Sequence, residues 1–124
     1  MTGGSFGGVD FGKLFASIDA MDTEGFLGFI AADAEFRFGS APPVQGRAGI
    51  RSAVEGFFSS IAALSHDLQR IVAQDDTVVC EGEATYTRHD GSSITLPFCN
   101  VFETDGGAIT LYRIYIDVAP LYAP

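Results

Sequence analysis

The chain has 124 residues, enough for one domain with a sizeable core, and 47% of them are hydrophobic, which excludes a disordered chain. Its formal net charge of −9, with only seven Lys and Arg residues, excludes the clustered basic surface that nucleic acids and anionic membranes require. No stretch has the length and apolarity of a membrane span or a secretory signal, so we expect a cytoplasmic protein with neither kind of partner.

The first residues predict a tail. Residues 1–9 read MTGGSFGGV, and this Gly-rich composition is typical of a disordered terminus. No internal repeat or linker follows, so residues 10–124 are expected to form a single domain.

Three stretches carry apolar residues at the spacing of amphipathic helices. The first consists of Phe11, Leu14, Phe15 and Ile18. The second follows a capping residue, Asp22 or Thr23, and consists of Phe26, Leu27, Phe29 and Ile30. The third runs over residues 46–64, and its apolar face consists of Ile50, Val54, Phe57, Phe58, Ile61 and Leu64.

The other elements alternate in polarity like strands. Residues 34–38 predict a short strand between the second and third helices, with Phe36 and Phe38 on one face. Four further strands are predicted over residues 66–74, 77–88, 92–104 and 108–118.

A hairpin loop, His89-Asp90-Gly91, separates the middle two of these strands. A three-residue loop here pairs Ala84 with Leu96, and one face of the hairpin then consists of Cys80, Gly82, Ala84, Tyr86, Ile94, Leu96, Phe98 and Asn100. Cys99 points to the opposite face from Cys80, so we expect two free thiols.

The last strand follows the turn Asp105-Gly106-Gly107. Simple alternation predicts an inner face of Ile109, Leu111, Arg113, Tyr115 and Asp117. The outer face then consists of Thr110, Tyr112, Ile114 and Ile116. Because that outer face is unusually apolar for a solvated surface, it predicts a homodimer.

Several short motifs in order resemble the nuclear transport factor 2-like superfamily. They are Ile30 through Phe36, Gly46-Arg47-x-x-Ile50 leading to Phe57-Phe58, and Tyr112-Arg113-x-Tyr115-x-Asp117. The resemblance implies an α+β fold of the cystatin-like cone type. Three N-terminal helices would pack on a curved, mostly antiparallel sheet in the order α-α-β-α-β-β-β-β.

Ketosteroid isomerases of this superfamily place their general base at the position of Phe38. Their oxyanion tyrosine would fall at about Leu14 and their oxyanion carboxylic acid at about Phe98. All three positions are apolar in this chain, so steroid isomerisation by that mechanism is not supported.

The SnoaL-like polyketide cyclases and limonene epoxide hydrolases resemble the last strand more closely. Their proton-transferring aspartate would be Asp117. The hydrolase's Arg and second Asp would fall near Gly82 and Ala84, and its Tyr and Asn near Phe36 and Phe38, so its full set is missing.

These considerations favour a small enzyme that uses no cofactor and performs acid–base chemistry on an apolar molecule in the cone. Asp117 is the predicted acid or base, because a carboxylate on an apolar inward face costs free energy to bury and a catalytic role would explain its presence there. Tyr115 and Arg113 share its predicted face and are the other two predicted catalytic residues, which would orient the polar end of the ligand. The plainer alternatives for Asp117 are a structural ion pair with Arg113 and a carboxylate in solvent at the end of the strand. The predicted pocket residues are Phe36, Phe38, Phe57, Phe58, Tyr86, Leu96, Phe98 and Asn100.

Two other hypotheses remain open at this point: a module that binds a ligand without chemistry, and a structural dimer whose pocket is filled by Phe rings. A metal site is not expected, because neither His66 nor His89 has a second His or Cys at ligand spacing.

Overall fold

Eight strands and four helices make up residues 5–123, the part of the chain that the computed structural model describes. The helices are α1 (Phe11–Asp19), α2 (Thr23–Leu27), α3 (Arg47–Ser59) and α4 (Ala119–Tyr122). The strands are β1 (Ser5–Phe6), β2 (Val9–Asp10), β3 (Ile30–Phe38), β4 (Val44–Gln45), β5 (Ala63–Gln74), β6 (Thr77–Thr87), β7 (Ser93–Asp105) and β8 (Ala108–Tyr115).

The main sheet is curved and has six strands in the order β4-β3-β8-β7-β6-β5. All neighbours pair antiparallel except β3 and β8, which are parallel because the chain crosses from one to the other through α3 and the long hairpins. The predicted α+β fold is therefore confirmed. One face of the sheet packs on the helices, and this arrangement leaves an inner and an outer face.

Helices α1 and α2 both begin at an aspartate cap, of which the sequence suggests the second, Asp22. Asp10 accepts a hydrogen bond from the backbone N–H of Lys13 at 3.1 Å, and Asp22 accepts one from Gly25 at 3.0 Å. The four predicted apolar residues of α1 are all buried.

Two helix ends come earlier than predicted. The second helix stops at Leu27, so Ile30 opens β3 instead. The third stops at Ser59, which leaves Ile61 and Leu64 outside it although both are buried. The Ser59 and Ser60 hydroxyls donate to carbonyl oxygens of the last turn, at 2.9 and 2.7 Å, a local bonding pattern that favours helix ends.

The predicted disorder of residues 1–9 is wrong for residues 5–9, and residues 1–4 lie outside the described part. Ser5 pairs with Asp10 and Phe6 with Val9 in a small hairpin, and Val9 is 1% exposed. Gly7 and Gly8 have φ values of 59° and 78°, which a two-residue hairpin turn requires. The glycines that suggested flexibility instead form this turn.

The predicted register of the β6–β7 hairpin is confirmed. Ala84 pairs with Leu96 and Cys80 with Asn100. Cys80 and Cys99 are both free, with Cys80 buried and Cys99 half-buried on the other face. Burial, followed by the nearby Cys99, raises the pKa of the Cys80 thiol to about 12.

A bulge in β8 reverses the predicted faces of the last strand. Thr104 pairs with Ile109 but Glu103 pairs with Leu111, so one residue of β8 has no partner. An extra residue shifts the two-residue alternation, and every side chain beyond it changes face. Ile109 and Tyr112 are consequently both buried, at 0% and 2% exposure.

Candidate functional site

A cavity of about 790 Å³ lies between the inner face of the sheet, α3 and the C-terminal segment. This volume is in the usual range for small-molecule sites. Of the eight predicted pocket residues, all but Leu96 line it: Phe36, Phe38, Phe57, Phe58, Tyr86, Phe98 and Asn100. Leu96 is buried in the core, at 8% exposure. The part of these residues in binding a ligand stays a prediction.

The phenylalanines form walls and leave the cavity open. The rings of Phe38 and Phe57 lie 4.8 Å apart, and Phe57 meets Tyr86 edge-on at 5.7 Å. Such contacts hold the rings against one another. The space in front of them is available to a ligand.

The rim of the cavity includes the C-terminal segment. Leu121 is buried, and its carbonyl accepts a hydrogen bond from Nε of Arg88 at 2.9 Å. The hydroxyl groups of Tyr122 and Ser60 lie 2.9 Å apart. These contacts attach α4 to the loop after β6 and to the end of α3.

The three predicted catalytic residues do not come together inside the cavity. Asp117 lies beyond the end of β8, exposed at the cavity rim, and its Oδ1 accepts a hydrogen bond from the backbone N–H of Ala119 at 3.0 Å. Tyr115 is 53% exposed on the outer face. Arg113 lies on that face too, because the bulge turns both residues outward.

Arg113 forms its ion pair with a different carboxylate from the one considered in the sequence. Its Nη2 is 3.0 Å from Oε2 of Glu35 on β3. The hydrogen bond that the Arg113 guanidinium donates to Glu35 raises the pKa of Arg113 above its ordinary value. Asp117 is thus neither paired with Arg113 nor buried, so its predicted burial on the inner face is wrong, while its catalytic role stays a prediction.

A different pair, Asp19 and His66, supplies an acid–base group at the cavity wall. Nδ1 of His66 is 2.6 Å from Oδ1 of Asp19, and the backbone N–H of His66 donates to Oδ2 at 3.0 Å. The His66 side chain is 10% exposed and lines the cavity. Its ring lies between those of Phe15 and Phe98, at 5.0 and 5.2 Å.

This geometry determines which imidazole nitrogen is available. Because Nδ1 faces a carboxylate, it carries the proton and Nε2 is left as the acceptor in the neutral ring. Asp19 is held by two hydrogen bonds to one residue, so the ring orientation is set before any ligand arrives.

The sequence did not indicate this pair, because its two members are far apart along the chain. Asp19 ends α1 and His66 lies early in β5, 47 residues later. The available signal was a carboxylate in the last turn of α1, where the helix dipole disfavours negative charge and a partner is needed.

Two tyrosines add hydrogen-bond donors to the cavity. Burial, with smaller effects from Tyr122 and Asp19, raises the pKa of Tyr86 to about 12. Burial likewise raises the pKa of Tyr112 well above its ordinary value. Both phenols therefore stay neutral and able to donate at physiological pH.

The remaining polar side chain of the inner wall is Asn100. It is 1% exposed, and its Oδ1 has no hydrogen-bond partner among the described residues. No Lys or Arg lines the cavity in this part of the chain. The cavity is thus apolar with a few neutral polar groups and one His–Asp pair.

Within residues 5–123, no three His, Cys, Asp or Glu side chains are arranged to hold a metal ion. No helix in the same range is long and apolar enough to cross a membrane.

A comparison with protein families agrees with the fold. The SnoaL-like domain family matches residues 11–112, most of the chain. The protein belongs to this family. No curated protein sequence matches the chain.

Solved structures share the fold at low sequence identity. TerC, crystallised with polyporic acid, is 21% identical with a TM-score of 0.80, covering 90% of this chain and 92% of TerC. A nuclear transport factor 2-like protein of unknown function from Burkholderia pseudomallei is 17% identical with a TM-score of 0.81, covering 90% of each chain. An epoxide hydrolase from M. tuberculosis, of the LEH-like type, is 19% identical with a TM-score of 0.74, covering 87% of this chain and 80% of that one.

Proposed function

We propose that this protein is an enzyme without a cofactor, which performs general acid–base chemistry on an apolar small molecule in the cavity, with His66 as the base. The observation that carries the proposal is the Asp19–His66 hydrogen bond of 2.6 Å at the wall of an apolar cavity. The TerC structure with polyporic acid supports small-molecule binding in this fold. An isomerisation, cyclisation, dehydration or hydrolysis fits a single base of this kind.

The proposed mechanism uses the chain's own groups. Nε2 of His66 removes a proton from the substrate, and Asp19 stabilises the imidazolium that forms while holding the ring in place. The neutral hydroxyls of Tyr86 and Tyr112 line the same cavity and donate to an oxygen on which negative charge develops. Asp117, exposed at the rim, takes no part in this mechanism.

The base can be tested before the substrate is identified. The probe is 5-nitrobenzisoxazole, an apolar aromatic molecule: removal of its C–H proton breaks the N–O bond and releases a coloured nitrophenolate, so a base alone is sufficient. We expect His66→Gln to lower the rate of the wild-type protein by about 100-fold or more, and Asp19→Asn to lower it less. Absorbance at several probe concentrations gives kcat/KM for each variant.

Asp117→Asn and His89→Gln are the matched controls. Both residues lie outside the inner wall, with His89 bonded to the carbonyl of Ser59 at 2.9 Å, so both variants should keep the wild-type rate. If the rate falls in Asp117→Asn and stays at the wild-type value in His66→Gln, Asp117 would be the base instead of His66. A wild-type protein that binds the probe without converting it would favour the competing hypothesis, a binding module.

The homodimer is also proposed, through a different set of residues. The bulge turns Tyr112 and Ile114 inward, and the outer face carries an apolar strip consisting of Val72, Val79, Val101, Leu111 and Tyr115. Arg70 and Glu81, 3.2 Å apart, border the strip, and Arg113, paired with Glu35, lies within it opposite Val101. A self-complementary strip of this kind suits a two-fold pair.

The predicted cytoplasmic location likewise stays a prediction.

We expect light scattering to give twice the mass of one chain, and Val101→Asp to give a single chain because it places a carboxylate in the middle of the strip. Thr85→Asp, on the outer face away from the strip, is the control and should stay dimeric. A wild-type protein that is monomeric at all concentrations would rule the dimer out.

A further inference from the structure

Three segments of the chain bound the mouth of the cavity: the loop after β3, the end of α3 and the C-terminal segment of residues 116–123. Each contributes an exposed residue to the lining, and these residues are Ser40, Ser60 and Tyr122 in that order. The width of the mouth therefore depends on how the three segments are held to one another.

One hydrogen bond between side chains joins two of these segments. The Ser60 hydroxyl donates its only proton to the carbonyl oxygen of Phe57 at 2.7 Å, so the Tyr122 hydroxyl is the donor in its 2.9 Å contact with Oγ of Ser60. We call this bond the Tyr122–Ser60 latch. Tyr122 is 55% exposed, so water competes for both hydroxyls and the net stabilisation by the latch is small.

The backbone that carries Tyr122 is held more firmly than its side chain. Leu121 is buried at 3% exposure, and its carbonyl accepts a hydrogen bond from Nε of Arg88 at 2.9 Å. Nη2 of Arg88 donates to the carbonyl of Pro120 at 3.1 Å. The exposed Tyr122 side chain can therefore leave Ser60 while Leu121 stays anchored, because exposed contacts open at a lower free energy than buried ones.

We infer that Tyr122 is a specificity-determining residue that limits the width of the ligands entering the cavity. While the latch is closed, it holds two sides of the mouth together, and wide ligands enter only when it opens. The inference rests on the proposed binding of a small molecule in this cavity. The interior is not the limit, because a volume of about 790 Å³ is ample for a drug-sized molecule.

The test measures how fast two neutral probes of different width bind: 2-naphthalenemethanol, with two fused rings, and 1-pyrenemethanol, with four. The chain has no Trp, so the fluorescence of either probe can be followed by stopped flow. We expect Tyr122→Phe and Ser60→Ala each to raise the association and dissociation rate constants of 1-pyrenemethanol together, by about 3-fold or more, because the mouth is open for more of the time. The Kd of this probe and both rate constants of 2-naphthalenemethanol should keep their wild-type values.

Ser59→Ala is the matched control. The Ser59 hydroxyl donates to the carbonyl of Gly56 at 2.9 Å, a helix-end bond of the same kind as that of Ser60, but it is not part of the latch. This variant should therefore bind both probes at the wild-type rates. Tyr122→Ala removes the ring as well as the bond, so it should raise the association rate constant of 1-pyrenemethanol more than Tyr122→Phe does.

Two results would overturn the inference. One is that 1-pyrenemethanol enters the wild-type protein and both latch variants at one rate, or enters none of them. The other is that Tyr122→Phe weakens the binding of 1-pyrenemethanol without raising its association rate constant, because Tyr122 would then be a ligand contact and not a gate.

The outcomes separate this inference from the proposed enzyme. If 5-nitrobenzisoxazole is converted in a reaction that depends on His66, but the latch variants bind 1-pyrenemethanol at the wild-type rates, the inference about Tyr122 fails alone. If neither fluorescent probe binds and 5-nitrobenzisoxazole is not converted, both fail together.

Discussion

Gly82→Ala is expected to destabilise the fold by about 4 kcal/mol or more, a loss that few single substitutions cause. A Cβ at Gly82 would lie 1.9 Å from the carbonyl oxygen of Asp67 and 3.0 Å from its carbonyl carbon. Those atoms belong to the backbone of β5, which cannot move aside as a flexible side chain can. Strands β5 and β6 would have to separate, and their pairing would be lost along much of their length.

The close approach has a local cause. Leu68 pairs with Gly82 and Arg70 with Glu81, so Gln69 is an extra residue in β5 and the strand bulges toward its neighbour. A residue without a side chain at the facing position leaves room for the bulge. Urea denaturation measures the loss as a lower midpoint at unchanged slope.

Gly56→Ala is the matched control, with the opposite sign expected. Gly56 lies within α3, and beyond the adjoining residues of its own helix no atom lies within 4 Å of a Cβ placed there. Alanine there should stabilise the protein by about 0.5–1 kcal/mol, because glycine has more backbone freedom to lose in a helix. If Gly82→Ala has the same urea midpoint of unfolding as the wild-type protein, the close backbone contact across the bulge is contradicted.

Phe102→Ala is expected to cost about 3–5 kcal/mol. Phe102 is fully buried at 0% exposure, and its ring lies 4.4 Å from that of Tyr112 and 4.8 Å from that of Phe11. It thus joins β7, β8 and α1 at one point of the core. Removing the ring leaves a closed space that neighbouring side chains on three elements cannot fill.

Phe38→Ala makes the same substitution at the cavity wall and should cost less than half as much. Phe38 is half-buried and lines the cavity, so the space it leaves joins a volume that is already open. Most of the penalty for a new closed cavity is therefore absent. Comparable losses in the two variants, measured by urea denaturation, would show that the cavity is closed to solvent.

Much of the fold was predictable because it depends on short-range patterns. The α1 stripe from Phe11 to Ile18, the N-cap at Asp22 and the β6–β7 register all follow from spacing or turn chemistry over a few residues. The N-terminal hairpin was missed because glycine suits both a flexible tail and a tight turn. Phe6 and Val9 decided between them by packing on the core.

The candidate site was predictable only in its apolar part. The inner face of the hairpin places Tyr86, Phe98 and Asn100 correctly, because alternation persists along a regular strand. Asp117 was misplaced because one extra residue in β8 changes the face of everything after it, and nothing in the local pattern announces the bulge.

The sequence by itself determined the longer helices and strands, the register of the β6–β7 hairpin and an apolar inner face, since each depends on periodicity within one element or between two neighbouring strands. Only the tertiary structure decided which polar groups meet there. Asp19 and His66 are brought together by the packing of α1 on β5, and Asn100 is placed on the cavity wall between β6 and β8. Contacts between distant segments depend on the three-dimensional path of the chain, which local spacing does not encode.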